Sequence, residues 1–266
     1  MNKIKYYAFP SAVEDAMSVL LSAKYKAMVM AGGTLVAKSV PDSVETYLDI
    51  KRLPIKEIKI SGGGLTVGAG ATFDEIDSSD ACRQWCGGII SKAASKCSSQ
   101  LIRNMATIGG NIARPHSFNI FPVVLAGLDA YITVMTRSGE KKIPFASLYS
   151  SKTLRPGLNC LITSVEFPAP ADGMRCEFVK LAKTESSWES YINLFLASGG
   201  GKVRIAVGTL SPKPFRAVKT EKAVAGGADP VSAGAVFTEE LAAARGSGYR
   251  AAAAVNLLER FLGAQI

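Results

Sequence analysis

Apolar and polar positions change period several times along this chain, and each change suggests an element. Val13, Ala16, Met17, Leu20 and Leu21 recur at helical spacing behind a Ser11-Ala12-Val13-Glu14 capping box, so a helix is expected to open at Ser11. The apolar run over 27–31 breaks into Gly32-Gly33-Thr34, which reads as a buried strand turning on glycine, and a second strand is expected over 47–50. Apolar runs over 55–60 and 65–69 flank Gly62-Gly63-Gly64, a hairpin pattern. Thr72-Phe73-Asp74-Glu75 offers another capping box, and 88–97 reads as helix. The stretch 98–117 is polar and glycine-bearing yet lies between apolar segments, the kind of internal irregular segment that carries function. A helix near 121–128, a strand over 130–136 and a turn at Ser138-Gly139 follow.

Pro168, Pro170 and Gly173 interrupt the pattern and suggest a boundary. Beyond it, strands over 176–182, 191–197 and 202–210 precede alanine-rich helices over 230–245 and 249–262, an antiparallel sheet with helices on one face. The expected organisation is α+β, with a first domain over 1–170 and a second over 171–266.

Composition narrows the class. A chain of 266 residues with 48% hydrophobic content can bury a substantial core. No run of apolar residues approaches a membrane span, and the first ten residues lack a signal-like apolar core, so a cytoplasmic chain without a membrane span is expected. The 31 basic and 22 acidic side chains give a formal charge of +9, but the lysines are dispersed. No nucleic-acid surface is expected; a diphosphate ligand or an acidic partner explains the sign equally well. Cys82, Cys86, Cys97, Cys160 and Cys176 lack CxxC spacing and read as buried thiols. With His116 as the sole histidine, a metal site or a histidine base elsewhere is not expected.

Two glycine motifs carry the candidate chemistry. Ala31-Gly32-Gly33-Thr34-Leu35 follows a strand, and Thr107-Ile108-Gly109-Gly110-Asn111 lies in the polar stretch. Successive amides in such turns form anion nests, and two nests could grip one pyrophosphate from both sides, although a lone Gly-Gly is more often merely a tight turn. Neither GxGxxG nor GxxxxGK[ST] occurs, so spacing alone leaves the phosphate-bearing cofactor unidentified.

The motifs also carry a resemblance. Phe9-Pro10, Ala31 to Thr34, Tyr47-Leu48-Asp49-Ile50, Leu65-Thr66-Val67-Gly68-Ala69, the run from Gln100 to Asn111, Leu125 to Ala130, Phe178 to Lys183 and Gly248-Tyr249-Arg250 occur in the order and spacing of the FAD-binding (medium) subunits of molybdenum hydroxylases, the xanthine dehydrogenase family. The chain resembles that family over nearly its whole length, most specifically from Arg103 to Asn111. The resemblance implies a two-part FAD-binding domain of the vanillyl-alcohol-oxidase (PCMH) type followed by a small α+β domain. It implies FAD on Ala31 to Leu35 and Thr107 to Asn111, with Asn119 where the family has an acid. It also implies Leu161 or Ile162 packed on the flavin, Lys180 beside the ring and Cys97 close to it. The segment after Thr34 is shorter than is common, and residues 114–118 lack the usual small side chains. No side chain is assigned as nucleophile or general base. A large molybdopterin-binding subunit and a small [2Fe–2S] subunit are the implied partners, with a purine or other N-heterocycle oxidised and NAD or another acceptor reduced. The alternatives are a self-sufficient flavoenzyme of the same fold, such as an enolpyruvyl-sugar reductase, or a non-catalytic assembly subunit.

Overall fold

The structure, a computed structural model, describes residues 4–22, 24–36, 40–246 and 248–264. The first unit is a three-stranded parallel sheet in the order β1-β3-β2, built from β1 (Tyr6–Ala8), α1 (Val13–Leu21), β2 (Ala27–Met30) and β3 (Thr46–Asp49). Parallel strands require crossover connections, and α1 supplies the one from β1 to β2 across β3, burying Ala16, Met17 and Leu20. The Ser11 capping box does not form. The N-cap is Ala12, with no side-chain hydrogen bond, and Glu14 and Asp15 instead place acidic charge on the positive end of the helix.

β4 (Ile58–Ser61) and β5 (Gly64–Gly68) form the expected hairpin, with Gly62 and Gly63 both at positive φ between them. The helical segment that follows comprises α2 (Phe73–Ser78), α3 (Asp80–Gln84), a 3-10 turn at Trp85–Gly88, α4 (Ile89–Ser95), α5 (Gln100–Arg103), α6 (Ile108–Ala113) and α7 (Phe121–Gly127). The capping box at Thr72 is present: its hydroxyl accepts from Glu75 N at 3.1 Å and its amide donates to the Glu75 carboxylate at 2.7 Å. The stretch expected to be irregular over 98–117 thus holds two short helices, α5 and α6. β6 (Tyr131–Thr136), β7 (Gly139–Pro144), α8 (Phe145–Leu148) and β8 (Cys160–Phe167) complete an antiparallel sheet ordered β4-β5-β8-β6-β7. β8 is the central strand, and the hydrophobic pattern had not marked it.

After Phe167 the chain changes sheets. β9 (Arg175–Leu181), β10 (Ile192–Gly199), β11 (Lys202–Gly208) and β12 (Phe215–Arg216) pair antiparallel in the order β12-β11-β10-β9, followed by α9 (Val218–Ala225), α10 (Pro230–Ala243) and α11 (Tyr249–Gly263). The expected helices on one face are there, but the other face is covered too. Ile192, Leu194 and Leu196 point into a core shared with Phe237, Leu241, Leu258 and Phe261, whereas Phe195 and Ala197 join the core of the first part of the chain. That is why β10 reads as an unbroken apolar run: both of its faces are buried. α7 covers the second face so closely that a Cβ on Gly127 would sit 2.0 Å from the Phe195 ring.

Candidate functional site

The two glycine motifs are far apart in the chain and adjacent in space. Ala31 and Gly32 leave the end of β2 and run against the backbone just before α6. A Cβ on Gly32 would lie 1.8 Å from the Met105 carbonyl oxygen, so only glycine permits this approach. The second motif is pinned from its other side. Phe73 N donates to Ala106 O at 2.9 Å, Ile108 N to Ala71 O at 3.0 Å and Gly109 N to Ala69 O at 2.9 Å. These bonds join the start of α6 to the segment between β5 and α2, making a junction of three chain segments where the chain leaves the ends of β2 and β5.

The motifs do not offer the same donors. In the second, the amides of Ile108 and Gly109 are used internally, and the Thr107 hydroxyl caps α6 by accepting from Gly110 N at 3.1 Å. Ile108 is fully buried; Gly110 and Asn111 form its accessible part. In the first motif, Gly33 takes a φ of +70°, and among the described residues no protein acceptor takes the amides of Gly32, Gly33, Thr34 or Leu35. Consecutive free amides about a left-handed residue form a concave anion site. The donor set therefore suits a diphosphate, held mainly by the first turn, with the second as a fixed wall rather than an equal nest.

Asn119 is tied into the protein. Its Nδ2 donates to Asn111 O at 2.6 Å and Arg114 O at 3.0 Å, and its Oδ1 accepts from Asn111 Nδ2 at 3.3 Å. Asn111 Oδ1 in turn accepts from Phe121 N at 3.1 Å, which fixes the start of α7. The two asparagines lock the loop between α6 and α7. Leu161 and Ile162 lie in β8 within the first core, with only 3% and 6% exposure.

Lys180, on β9, is half-buried across from α4. Its ammonium donates to three carbonyls: Lys96 O at 2.9 Å, Glu185 O at 3.3 Å and Ser187 O at 2.5 Å. An ammonium has three N–H donors, so all are taken, and what remains to act on a ligand is its charge. Burial lowers its pKa. Cys97 lies within electrostatic reach of Lys180 and Arg103; burial nonetheless pushes its thiol up to about 11, so it is protonated and unreactive at neutral pH.

Two features escaped the sequence reading. Arg103 ties the turn before α5 together, donating to Cys97 O, Ser98 O and Gln100 Oε1, while its buried Nε has no partner. His116, Phe118 and Trp188 form an aromatic cluster, with Phe118 and Trp188 centroids 5.2 Å apart edge-to-face. It joins the α6–α7 loop to the loop that supplies carbonyls to Lys180. His116 and Phe118 stand two positions apart in a polar stretch, but their partner Trp188 lies roughly seventy positions away in sequence, beyond the reach of local patterning. Among the described residues no group of metal-ligating side chains occurs, and no helix is long and apolar enough to cross a membrane.

Comparison with known proteins names the cofactor. Residues 2–170 match the family described as FAD binding domain in molybdopterin dehydrogenase. The glyceraldehyde dehydrogenase medium chain of Sulfolobus acidocaldarius is 28% identical over 190 residues, 69% of this chain and 67% of that one. The 6-hydroxypseudooxynicotine dehydrogenase complex subunit alpha of Paenarthrobacter nicotinovorans is 29% identical over 189 residues, 68% of this chain and 63% of its own length. In fold, the chain superposes on a chain of carbon monoxide dehydrogenase from Hydrogenophaga pseudoflava with a TM-score of 0.83, covering 98% of this chain and 96% of that one at 22% identity. The family match and the α+β fold agree: the chain belongs to the FAD-binding domain family of the molybdopterin dehydrogenases and is a flavoprotein component of that class of oxidoreductase.

Proposed function

We propose that this chain is the electron-transfer subunit of a molybdopterin-dependent dehydrogenase, working between [2Fe–2S] clusters on a small partner and an acceptor such as NAD, with molybdopterin and the substrate on a large partner. FAD, when bound, supplies both hydride and single-electron chemistry, which lets it join one-electron clusters to a two-electron acceptor. The observation that carries the reading is the row of amides at Gly32, Gly33, Thr34 and Leu35, which have no acceptor among the described residues and begin against the backbone before α6.

On this reading Ala31 to Leu35 hold the diphosphate. Thr107, Ile108 and Gly109 fix the opposite wall, and Gly110 and Asn111 present its accessible rim. Asn119 positions Asn111 through the bonds between them instead of contributing a carboxylate. Leu161 and Ile162 shape the site from the core side, and Lys180 sets the potential beside the ring by its charge. No residue of this chain need act as acid, base or nucleophile. An N-heterocycle remains the proposed substrate class. Relatives named for 6-hydroxypseudooxynicotine and nicotinate support it, and those named for glyceraldehyde and carbon monoxide show how widely such names range.

The test is the absorbance spectrum of the purified full chain, alone and after FAD is added and the excess removed. Flavin bands at one FAD per chain are expected. A chain that is folded by circular dichroism, alone and with its co-purified partners, yet retains no flavin would overturn the proposal.

A further inference from the structure

The flavin site leaves one pair of reactive side chains unused. Cys86 and Cys176 lie 90 positions apart, and their sulfurs stand 3.5 Å from each other. Each belongs to a different part of the fold: Cys86 to the 3-10 turn that leads into α4, Cys176 to the start of β9. Both side chains are partly buried, and neither sulfur is engaged elsewhere as a metal ligand or disulfide.

The backbone around Cys86 brings its side chain to this position at a cost. Cys86, Gly87 and Gly88 take φ values of 46°, 65° and 76°, a left-handed run that glycine tolerates and cysteine adopts reluctantly. The same interface is tied at its other end, where Lys180, further along β9, donates to Lys96 O beyond the end of α4. A covalent link at Cys86 would therefore fasten the near end of an α4–β9 seam whose far end is already held.

We propose that Cys86 and Cys176 are a redox modification site, forming a disulfide that clamps the FAD-binding part of the chain to the sheet carrying Lys180. The oxidant is a low-molecular-weight disulfide. One cysteine sulfur attacks it, giving a mixed disulfide and releasing one small thiol. The other cysteine sulfur then displaces the second small thiol and closes the protein S–S bond. Two S–H bonds are lost from the protein and two S–H bonds appear on the reduced small molecules, so atoms and electrons balance. The sulfurs need close only from 3.5 Å to about 2.05 Å. The hydrogen bond from Cys176 lowers the pKa of Cys86, whereas burial raises the thiols of Cys82, Cys97 and Cys160 to about 11, so the pair holds the thiol best placed to attack.

The experiment incubates the full-length chain with oxidised glutathione, removes it, and counts free thiols after denaturation. The five thiols are expected to fall to three, with one cross-linked peptide containing Cys86 and Cys176 in the digest. The thermal midpoint is expected to rise and to return on adding dithiothreitol. Cys86→Ser and Cys176→Ser are each expected to keep four thiols and to show no oxidation-dependent rise. Retention of all five thiols in the wild type, a cross-link involving Cys82, Cys97 or Cys160, or persistent mixed disulfides in place of the cross-link would each overturn the assignment, without reference to how well the variants fold.

Discussion

At the scale of single residues, Lys180 is a proposed site residue with no hydrogen bond left to give a ligand. Its three N–H donors are spent on Lys96 O, Glu185 O and Ser187 O, so in the proposed placement beside FAD it would act only as a fixed positive charge. Lys180→Met is expected to make the flavin potential more negative, because the reduced flavin's negative charge loses its neighbour. If the change in that interaction is about 1.4 kcal/mol, the two-electron potential moves by about 30 mV. Potentiometric titration of the flavin bands reads this, and an unchanged potential in a folded, FAD-loaded variant would remove Lys180 from the proposed site. The same residue gives a stability test with a definite sign. Burial lowers its folded pKa below the ordinary 10.5, so between those two values the unfolded chain binds more protons than the folded one. Stability is expected to gain a component that increases with pH across that window, and thermal melts of Lys180→Met should lack it. In the sequence, Lys180 is an unremarked lysine on a strand; only the family resemblance singled it out, because one carbonyl partner, Lys96 O, lies 84 positions away and the other two come from the irregular loop after β9.

At the scale of elements, the site is a contact between turns, and Gly32 is the residue that permits it. Gly32→Ala places a methyl group within 1.8 Å of the Met105 carbonyl, which cannot move freely because Phe73 N and Ile108 N bind the backbone on either side of Thr107. The first turn must lift away from α6, and FAD affinity is expected to fall at least about tenfold, or about 1.4 kcal/mol. Gly33→Ala serves as the contrast: nothing crowds its Cβ closer than the Met30 side chain at 3.8 Å, and its φ of +70° costs about 1–2 kcal/mol of folding stability without displacing the turn by collision. Fluorescence titration with FAD separates the two, and equal affinities for Gly32→Ala and wild type would show that the two turns do not act together. Much of this level was legible in advance. The glycine turn after β2, the β4–β5 hairpin and the Thr72 capping box each depend on residues a few positions apart, and the structure contains all three. What was not legible is non-local. β8 is central only because β5 and β6 pair on either side of it, and nothing within Cys160–Phe167 announces that. Likewise, the glycine motifs look equivalent in sequence, yet Ala69 and Ala71 consume the amides of the second.

At the scale of the molecule, the two parts of the chain are joined through α7 and an ion network at its end. Asp129, with a φ of 50°, accepts from Arg204 Nε at 2.9 Å and Arg216 Nη1 at 2.8 Å. Arg216 also donates twice to Glu221 at 2.6 Å and to Ala126 O at 3.0 Å, and Glu221 accepts from Ile205 N at 2.8 Å. Burial opposes the Arg216 charge, but Glu221 and Asp129 outweigh it and hold its pKa above the usual value. Since α7 packs in the first core and against β10 and β11, neither part can lose it without exposing Phe195 and Gly127 to solvent. Calorimetry of the intact chain is therefore expected to show one cooperative transition rather than two. Arg216→Met keeps the aliphatic packing but leaves the nearly buried Glu221 unpaired, a loss of about 3 kcal/mol and roughly 6–12 °C in the midpoint. If the network couples the two parts, the variant's transition should also broaden or split. The double variant with Glu221→Gln should recover part of the loss, because the unpaired buried charge is then gone. A midpoint unmoved by Arg216→Met would show that α7 alone joins the sheets and that the ions at its end are only surface decoration.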